Sequence, residues 1–213
     1  MDYQKEVAKA LLRIGAVGFS LKDPIIFKSG IKSPVYVDNR KFPFYPEEWK
    51  KIISGFAQII KDENIPTEII AGVEAAGIPH SAALGFFMEK PSVFVRKQAK
   101  EHGLKKRVEG GEVKGKKVLL VEDLVSTGGS CLSVVQVLRD EGADINDCVI
   151  IITYGMKESE TAFAEAKIKL HALTSFPVVL NEAVAMGKIT EAGKVSVEDW
   201  LANPQGWAER RRV

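Results

Sequence analysis

Hydrophobic and polar positions change rhythm several times along the chain. Residues 2–14 set Val7, Ala8, Leu11 and Leu12 on one side at helical spacing, and residues 46–62 do the same with Ile52, Ile53, Phe56, Ile59 and Ile60. Both stretches predict amphipathic helices. Between them, "SGIKSPVYVDNRKFPFYP" is rich in turn residues and holds one short strand around Val35–Val37. Beyond residue 66 the apolar runs become short, continuous and β-branched: "TEIIAGV", "SVFVRK", "KKVLLVED" and "DCVIIIT". Helical patterns alternate with them in "IPHSAALGFFME", "GGSCLSVVQVLRDEG" and "SETAFAEA". Strand–helix alternation predicts parallel strands joined by crossover helices. Near-continuous apolar strands predict a sheet covered on both faces. The expected fold is therefore α/β: one doubly wound, mostly parallel sheet with an N-terminal helix-and-strand appendage. A single domain over 1–213 is expected, with residues 1–45 as that appendage. No internal repeat or low-complexity linker interrupts it.

Such sheets bind ligands beyond the carboxyl ends of their strands. One strand end stands out. In "VLLVEDLVSTGGS" an apolar run enters two adjacent acids, Glu122 and Asp123, and then a small, hydroxyl-rich turn. Small residues let backbone approach a ligand, and a helix opening there offers unpaired N–H groups to an anion. Ser126, Thr127 and Ser130 add hydroxyls. Taken alone, Ser126–Thr127–Gly128–Gly129–Ser130 reads equally well as a helix cap, which needs a single Ser or Thr. The neighbouring acids change the balance. Paired carboxylates repel and lose solvation when buried, so a polyol or a cation gives them a purpose. Phosphate, vicinal diol and Mg²⁺ together describe a ribose 5-phosphate ligand.

Composition narrows the class. With 213 residues, 46% hydrophobic and 27% charged, the chain suits a soluble globule with a real core. A net charge of +2 gives no reason to expect nucleic acid as a partner, and the terminal "ERRRV" reads as a solvated end. No apolar run approaches membrane length, and the N-terminus lacks a signal-peptide core, so a cytoplasmic protein without a membrane partner is expected. Cys131 and Cys148 lack metal spacing and read as small buried hydrophobes in a reducing compartment. His80 and His171 read as surface residues of a helix and a strand. "GGEVKGKK" imitates the start of a phosphate-binding P-loop, but Lys117 stands where Ser or Thr is required and the segment precedes a strand.

"VLLVEDLVSTGGS" resembles the phosphoribosyl pyrophosphate signature of the type I phosphoribosyltransferases. "VRKQAKEHG" (residues 95–103) resembles the catalytic loop of the orotate phosphoribosyltransferases within that family, and "FKSGIKSPVYVDNR" (residues 27–40) resembles their N-terminal substrate segment. With "GVEAAGIPHSAA", the likeness covers most of residues 1–180. It implies transfer of ribose 5-phosphate from phosphoribosyl pyrophosphate to orotate, with a purine phosphoribosyltransferase or a nucleic-acid-binding regulator on the same fold as rivals. It implies Glu122 and Asp123 on the ribose, and Val125, Ser126, Thr127, Gly128, Gly129 and Ser130 on the 5-phosphate. It also implies Arg96 and Lys97 on pyrophosphate, and Lys100 and His102, with Asp123, at the transferring centre. Lys28 is implied at the pyrophosphate or orotate side, and Tyr36 and Val37 against the orotate ring; core packing is the alternative for these three. Cations beside a leaving pyrophosphate make electrostatic sense, although "RKQAKEHGLKKR" alone also fits an exposed basic loop. Gly103 and the polar run after it would let that loop open and shut. Mg²⁺ is implied as cofactor, carried mainly by phosphoribosyl pyrophosphate and not by a side-chain cage, and so is a homodimer with shared active sites. Two positions depart from the family pattern. Ala76 replaces a lysine before Gly77-Ile78-Pro79, and Tyr154-Gly155 replaces an orotate-pairing arginine, leaving Tyr154, Thr153 or nearby backbone to substitute.

Overall fold

A computed structural model of the chain describes residues 3–26, 30–98 and 107–211. In chain order the elements are α1 (Tyr3–Arg13), β1 (Val17–Phe19), β2 (Ile25–Ile26), β3 (Lys32–Ser33), β4 (Val35–Val37), a 3₁₀ turn (Asn39–Phe44), α2 (Pro46–Asp62), β5 (Ile69–Val73), α3 (Gly77–Phe87), β6 (Ser92–Val95), β7 (Val108–Glu109), β8 (Lys117–Val125), α4 (Gly129–Asp140), β9 (Asp144–Thr153), α5 (Lys157–Glu165), β10 (Lys169–Ser175), α6 (Phe176–Ala185), α7 (Glu191–Ala202) and α8 (Pro204–Arg211). They form two compact units: Met1–Tyr45 with Thr174–Val213, and Pro46–Leu173.

The first unit joins the two ends of the chain. The apolar stripe of α1 is buried through Val7, Ala8, Leu11 and Leu12, as its spacing predicts. β1 pairs antiparallel with β4, and β2 with β3. The C-terminal helices, which the sequence pattern left unassigned, carry two buried tryptophans, Trp200 and Trp207. Each finds an acceptor for its indole N–H: Trp200 donates to the Lys32 carbonyl and Trp207 to the Ser196 carbonyl, both at 3.0 Å. A buried indole without such a partner would be destabilising, and the need for a distant carbonyl explains why α7 cannot be understood as an isolated helix.

The second unit contains the predicted sheet. The order of the sheet's strands is β10-β9-β8-β5-β6-β7. β5 pairs parallel with β6 and with β8, and β8 parallel with β9. β7 adds an antiparallel edge to β6. All five residues of β5 are buried, as a strand covered on both faces requires. Along β8, Val118 and Leu120 share a core with Cys131, Val134 and Leu138 of α4. The strand order reverses direction between β5 and β8: β5 leads outward to β6, whereas β8 leads back the other way to β9. This reversal opens a crevice at the carboxyl ends of those two strands, where open α/β sheets bind ligands.

His80 and His171 are not surface residues. His80 is fully buried, and its Nδ1 accepts the Trp49 indole N–H at 2.9 Å. His171 is buried with Nε2 2.8 Å from Asp147 Oδ1. Partners on other elements supply the polar contacts that burial demands, and no local pattern could announce them.

Candidate active site

Two loops meet the crevice between β5 and β8. The first follows β8. The strand continues past the acids to Val125, so Glu122 and Asp123 lie within it and not at its tip. Side chains alternate along a strand. Glu122 shares the parity of Val118 and Leu120, pointing toward α4, and only 7% of it is exposed. Its Oε1 accepts the Asp123 backbone N–H at 2.9 Å. Burial, then the Asp123 charge, pushes the Glu122 carboxyl well above the usual carboxylate range, and Cys131 adds to the effect. Asp123 is half-buried. The two acids therefore differ: one is sunk against α4, while the other keeps access to solvent.

The turn that follows is anchored at both ends by backbone. Tyr154 N–H donates to the Val125 carbonyl at 3.2 Å, and Leu132 N–H to the Gly128 carbonyl at 2.9 Å. Gly128 has φ +88°, a left-handed backbone that only glycine adopts without strain. It is the residue before α4, and no side chain caps the helix. The helix-cap alternative for Ser126, Thr127 and Ser130 thus does not hold. All three are exposed, as is Gly129. Uncapped N–H groups and the positive helix end remain available for an anion.

The second loop follows β5. Gly77 begins α3 against β8: a Cβ there would stand 2.5 Å from the Val121 carbonyl oxygen and 3.5 Å from Glu122 Oε1. No other residue fits that approach. The peptide between Glu74 and Ala75 is cis. Glu74 had no assigned part, yet its Oε2 accepts the Lys97 backbone N–H at 2.9 Å, and its own N–H reaches the Val95 carbonyl at 3.0 Å. This connects the loop after β5 to the loop after β6. The Glu74 carboxylate was a signal that could have been read beside the missing lysine at Ala76.

The basic segment after β6 is held at its base. Arg96 N–H donates to the Arg107 carbonyl at 2.9 Å, and Arg107 Nε donates back to the Arg96 carbonyl at 2.8 Å. Arg96 Nη1 lies 3.9 Å from Glu109 Oε1, whereas Lys97 is exposed. Lys100 and His102 lie outside the described residues, as does Lys28. Tyr36 and Val37 sit on β4 of the first unit, where Tyr36 is exposed and its hydroxyl accepts from Arg40 Nη2 at 3.1 Å. Tyr154 follows β9 and is 5% exposed; burial and then the nearby Asp123 charge push its phenol up from the usual tyrosine range, so it stays a neutral hydroxyl. At Gly155, φ is +69° and the N–H is bonded to Thr153 Oγ1 at 3.0 Å.

Relatives give this geometry a context. Residues 45–174 match the family described as "Phosphoribosyl transferase domain". An orotate phosphoribosyltransferase of Coxiella burnetii is 40% identical over 207 residues, covering 97% of this chain and 99% of that one. The chain belongs to the orotate phosphoribosyltransferase family. A Staphylococcus saprophyticus member is 41% identical over 199 residues, 93% of this chain and 98% of its own. In three dimensions the chain is similar to the orotate phosphoribosyltransferase of Aeropyrum pernix, with a TM-score of 0.75, 25% identity, and coverage of 86% of this chain and 99% of that one. A member of this family is a pentosyl-transferring enzyme of pyrimidine biosynthesis. The crevice between β5 and β8, with its acids and uncapped helix, is where the family's signature residues fall.

Proposed function

We propose that the chain transfers ribose 5-phosphate from phosphoribosyl pyrophosphate to orotate, giving orotidine 5'-monophosphate and pyrophosphate. The observation that carries this reading is the uncapped start of α4: exposed Ser126, Thr127 and Ser130 surround a left-handed Gly128, a few residues beyond the half-buried Asp123. A phosphate satisfies the helix N–H groups, and a carboxylate five residues before Gly128 meets the diol of the same ribose. In this reading Val125 to Ser130 hold the 5-phosphate, Asp123 binds the ribose hydroxyls, and Glu122 supports it from below. Arg96 and Lys97 serve the pyrophosphate, and Lys100 and His102 the transferring centre. Lys28, Tyr36 and Val37 serve the orotate end, and Thr153 or the backbone at Tyr154 and Gly155 serves where the family's arginine is missing.

Catalysis is then mostly positioning and electrostatics. Orotate is ionised at neutral pH through its carboxyl group; the attacking ring nitrogen still carries a proton, which passes to solvent as the new N–C bond forms and the bond to pyrophosphate breaks. Side chains around the loop bind and orient the donor, and cations meet the charge that develops on the leaving pyrophosphate. Mg²⁺ fits this donor set as an ion arriving on phosphoribosyl pyrophosphate. Among the described residues no group of three or more His, Cys, Asp or Glu could hold a metal, and Asp123 is the accessible carboxylate. When bound, the ion neutralises pyrophosphate charge and eases its departure. The working enzyme is a cytoplasmic homodimer in which the basic loop of one subunit serves the partner's site. Among the described residues, no helix is long and apolar enough to cross a membrane.

The deciding experiment follows loss of orotate absorbance with phosphoribosyl pyrophosphate and Mg²⁺, beside parallel reactions with adenine, hypoxanthine and xanthine. Turnover of orotate alone is expected. Turnover of a purine without orotate would overturn the assignment.

A further inference from the structure

We propose that Phe163, on α5, is the positioning residue that sets the phosphate loop, so that a helix without a ligand role determines affinity for the phosphate end of the donor. The inference rests on reading residues 125–130 as the phosphate cradle. Backbone hydrogen bonds fix that loop at Val125 and at Gly128, and neither of them resists movement of Gly128 toward the core. Phe163 does. A Cβ built on Gly128 would stand 2.7 Å from Phe163 Cε2 and 3.2 Å from Cδ2, closer than carbon atoms approach. The ring edge is therefore seated directly under the Gly128 backbone.

The ring is itself buried. Phe163 is 3% exposed and belongs to the core formed with Val125, Cys131 and Val134. These three members of the same core lie at the end of β8 and in the first turns of α4, the two elements that the loop joins. On another side the ring borders a crevice of about 340 Å³ lined with Thr153, Gly155, Ile168 and Leu170. Gly128 thus has two reasons to be glycine: its left-handed φ and the absence of room for a Cβ. The N–H groups at the start of α4 point at an anion only while Gly128 keeps its place. Hydrogen bonds weaken steeply with distance and angle, so a loop relaxed into the space of a missing ring grips phosphate less well.

Phe163→Leu and Phe163→Ala test this by separating binding from turnover. KM and Kd for phosphoribosyl pyrophosphate, the latter by calorimetry, are expected to rise about tenfold to a hundredfold in the alanine variant, the loss that follows when a hydrogen bond to a charged phosphate is forfeited. The leucine variant should show a smaller rise. In both, KM for orotate and kcat should stay within about threefold of wild type. Gly128→Ala combined with Phe163→Leu should bind the donor more tightly than the product of the two single losses implies, because the smaller side chain makes room for the added methyl. If the alanine variant does not fold, the leucine variant and the double substitution decide. A folded Phe163→Leu protein with wild-type donor affinity overturns the proposal. So does a fall in kcat with both KM values unchanged, the pattern of fewer active molecules. Failure of the wild type itself to bind phosphoribosyl pyrophosphate would overturn the cradle reading, and this inference with it, and is recognised without any variant.

Discussion

Asp123→Asn should move binding and stability in opposite directions. Asp123 is the accessible acid of the pair, and its proposed partner is the ribose diol. Exchanging a charge-assisted hydrogen bond worth about 1.5–3 kcal/mol for a neutral one worth about 0.5–1.5 kcal/mol loses on the order of 1–1.5 kcal/mol, which is roughly tenfold in affinity. The folded protein has a different interest in the change. The Asp123 charge is the second cause, after burial, that lifts the Glu122 carboxyl, and it also raises the Tyr154 phenol. Where Glu122 is ionised, removing the Asp123 charge relieves a like-charge repulsion in a partly buried place. The variant should therefore be at least as heat-stable as wild type while binding phosphoribosyl pyrophosphate far more weakly. Differential scanning calorimetry at neutral pH gives the first quantity, and titration calorimetry with the donor and Mg²⁺ gives the second. Unchanged donor affinity would refute the ribose assignment. Weaker binding together with a lower melting temperature would refute the separation of roles between the two acids.

Glu122→Gln tests the buried acid through pH. Its folded pKa is raised, so the folded state holds that proton more tightly than the unfolded chain does; its contribution to stability is complete below the ordinary carboxylate range and is lost as pH rises through the raised value. The glutamine variant should gain stability relative to wild type across that same rise, and parallel urea midpoints from acid to neutral pH would contradict the assignment. Lys100→Ala should lower kcat far more than it raises KM for either substrate; a change in KM alone would make Lys100 a binding residue. Sharing of sites can be tested by unfolding Lys100→Ala and Asp123→Asn proteins and refolding them together in equal amounts. Random pairing makes about half heterodimers, each with one intact centre if the loop serves the partner, so about a quarter of wild-type activity should return. Heterodimers proven by mass spectrometry yet inactive would show that each loop serves its own subunit.

The periodicity of α1 and α2, and the apolar runs of β5, β8 and β9, were enough to predict these elements, because a buried face writes its period directly into the chain. "VLLVEDLVSTGGS" pointed to the family for a related reason: strand, acids and loop are contiguous, so one stretch carries the whole resemblance. What depended on distant neighbours could not be read this way. β10 alternates weakly in "KLHALTS", and α7 buries Trp200 only because the Lys32 carbonyl waits for its indole. His80 and His171 needed Trp49 and Asp147 to be buried at all. Adjacent letters made Glu122 and Asp123 look alike, yet the strand's alternation turns Glu122 toward α4, where burial pushes its carboxyl up, and leaves Asp123 partly open. Phe163 is an ordinary apolar residue in the sequence, 35 positions after Gly128. Only the packing of α5 against the start of α4 puts its ring beneath the loop. Local pattern determined which residues could do chemistry, and tertiary packing decided which of them are held in place to do it, because burial and contact depend on residues far away along the chain.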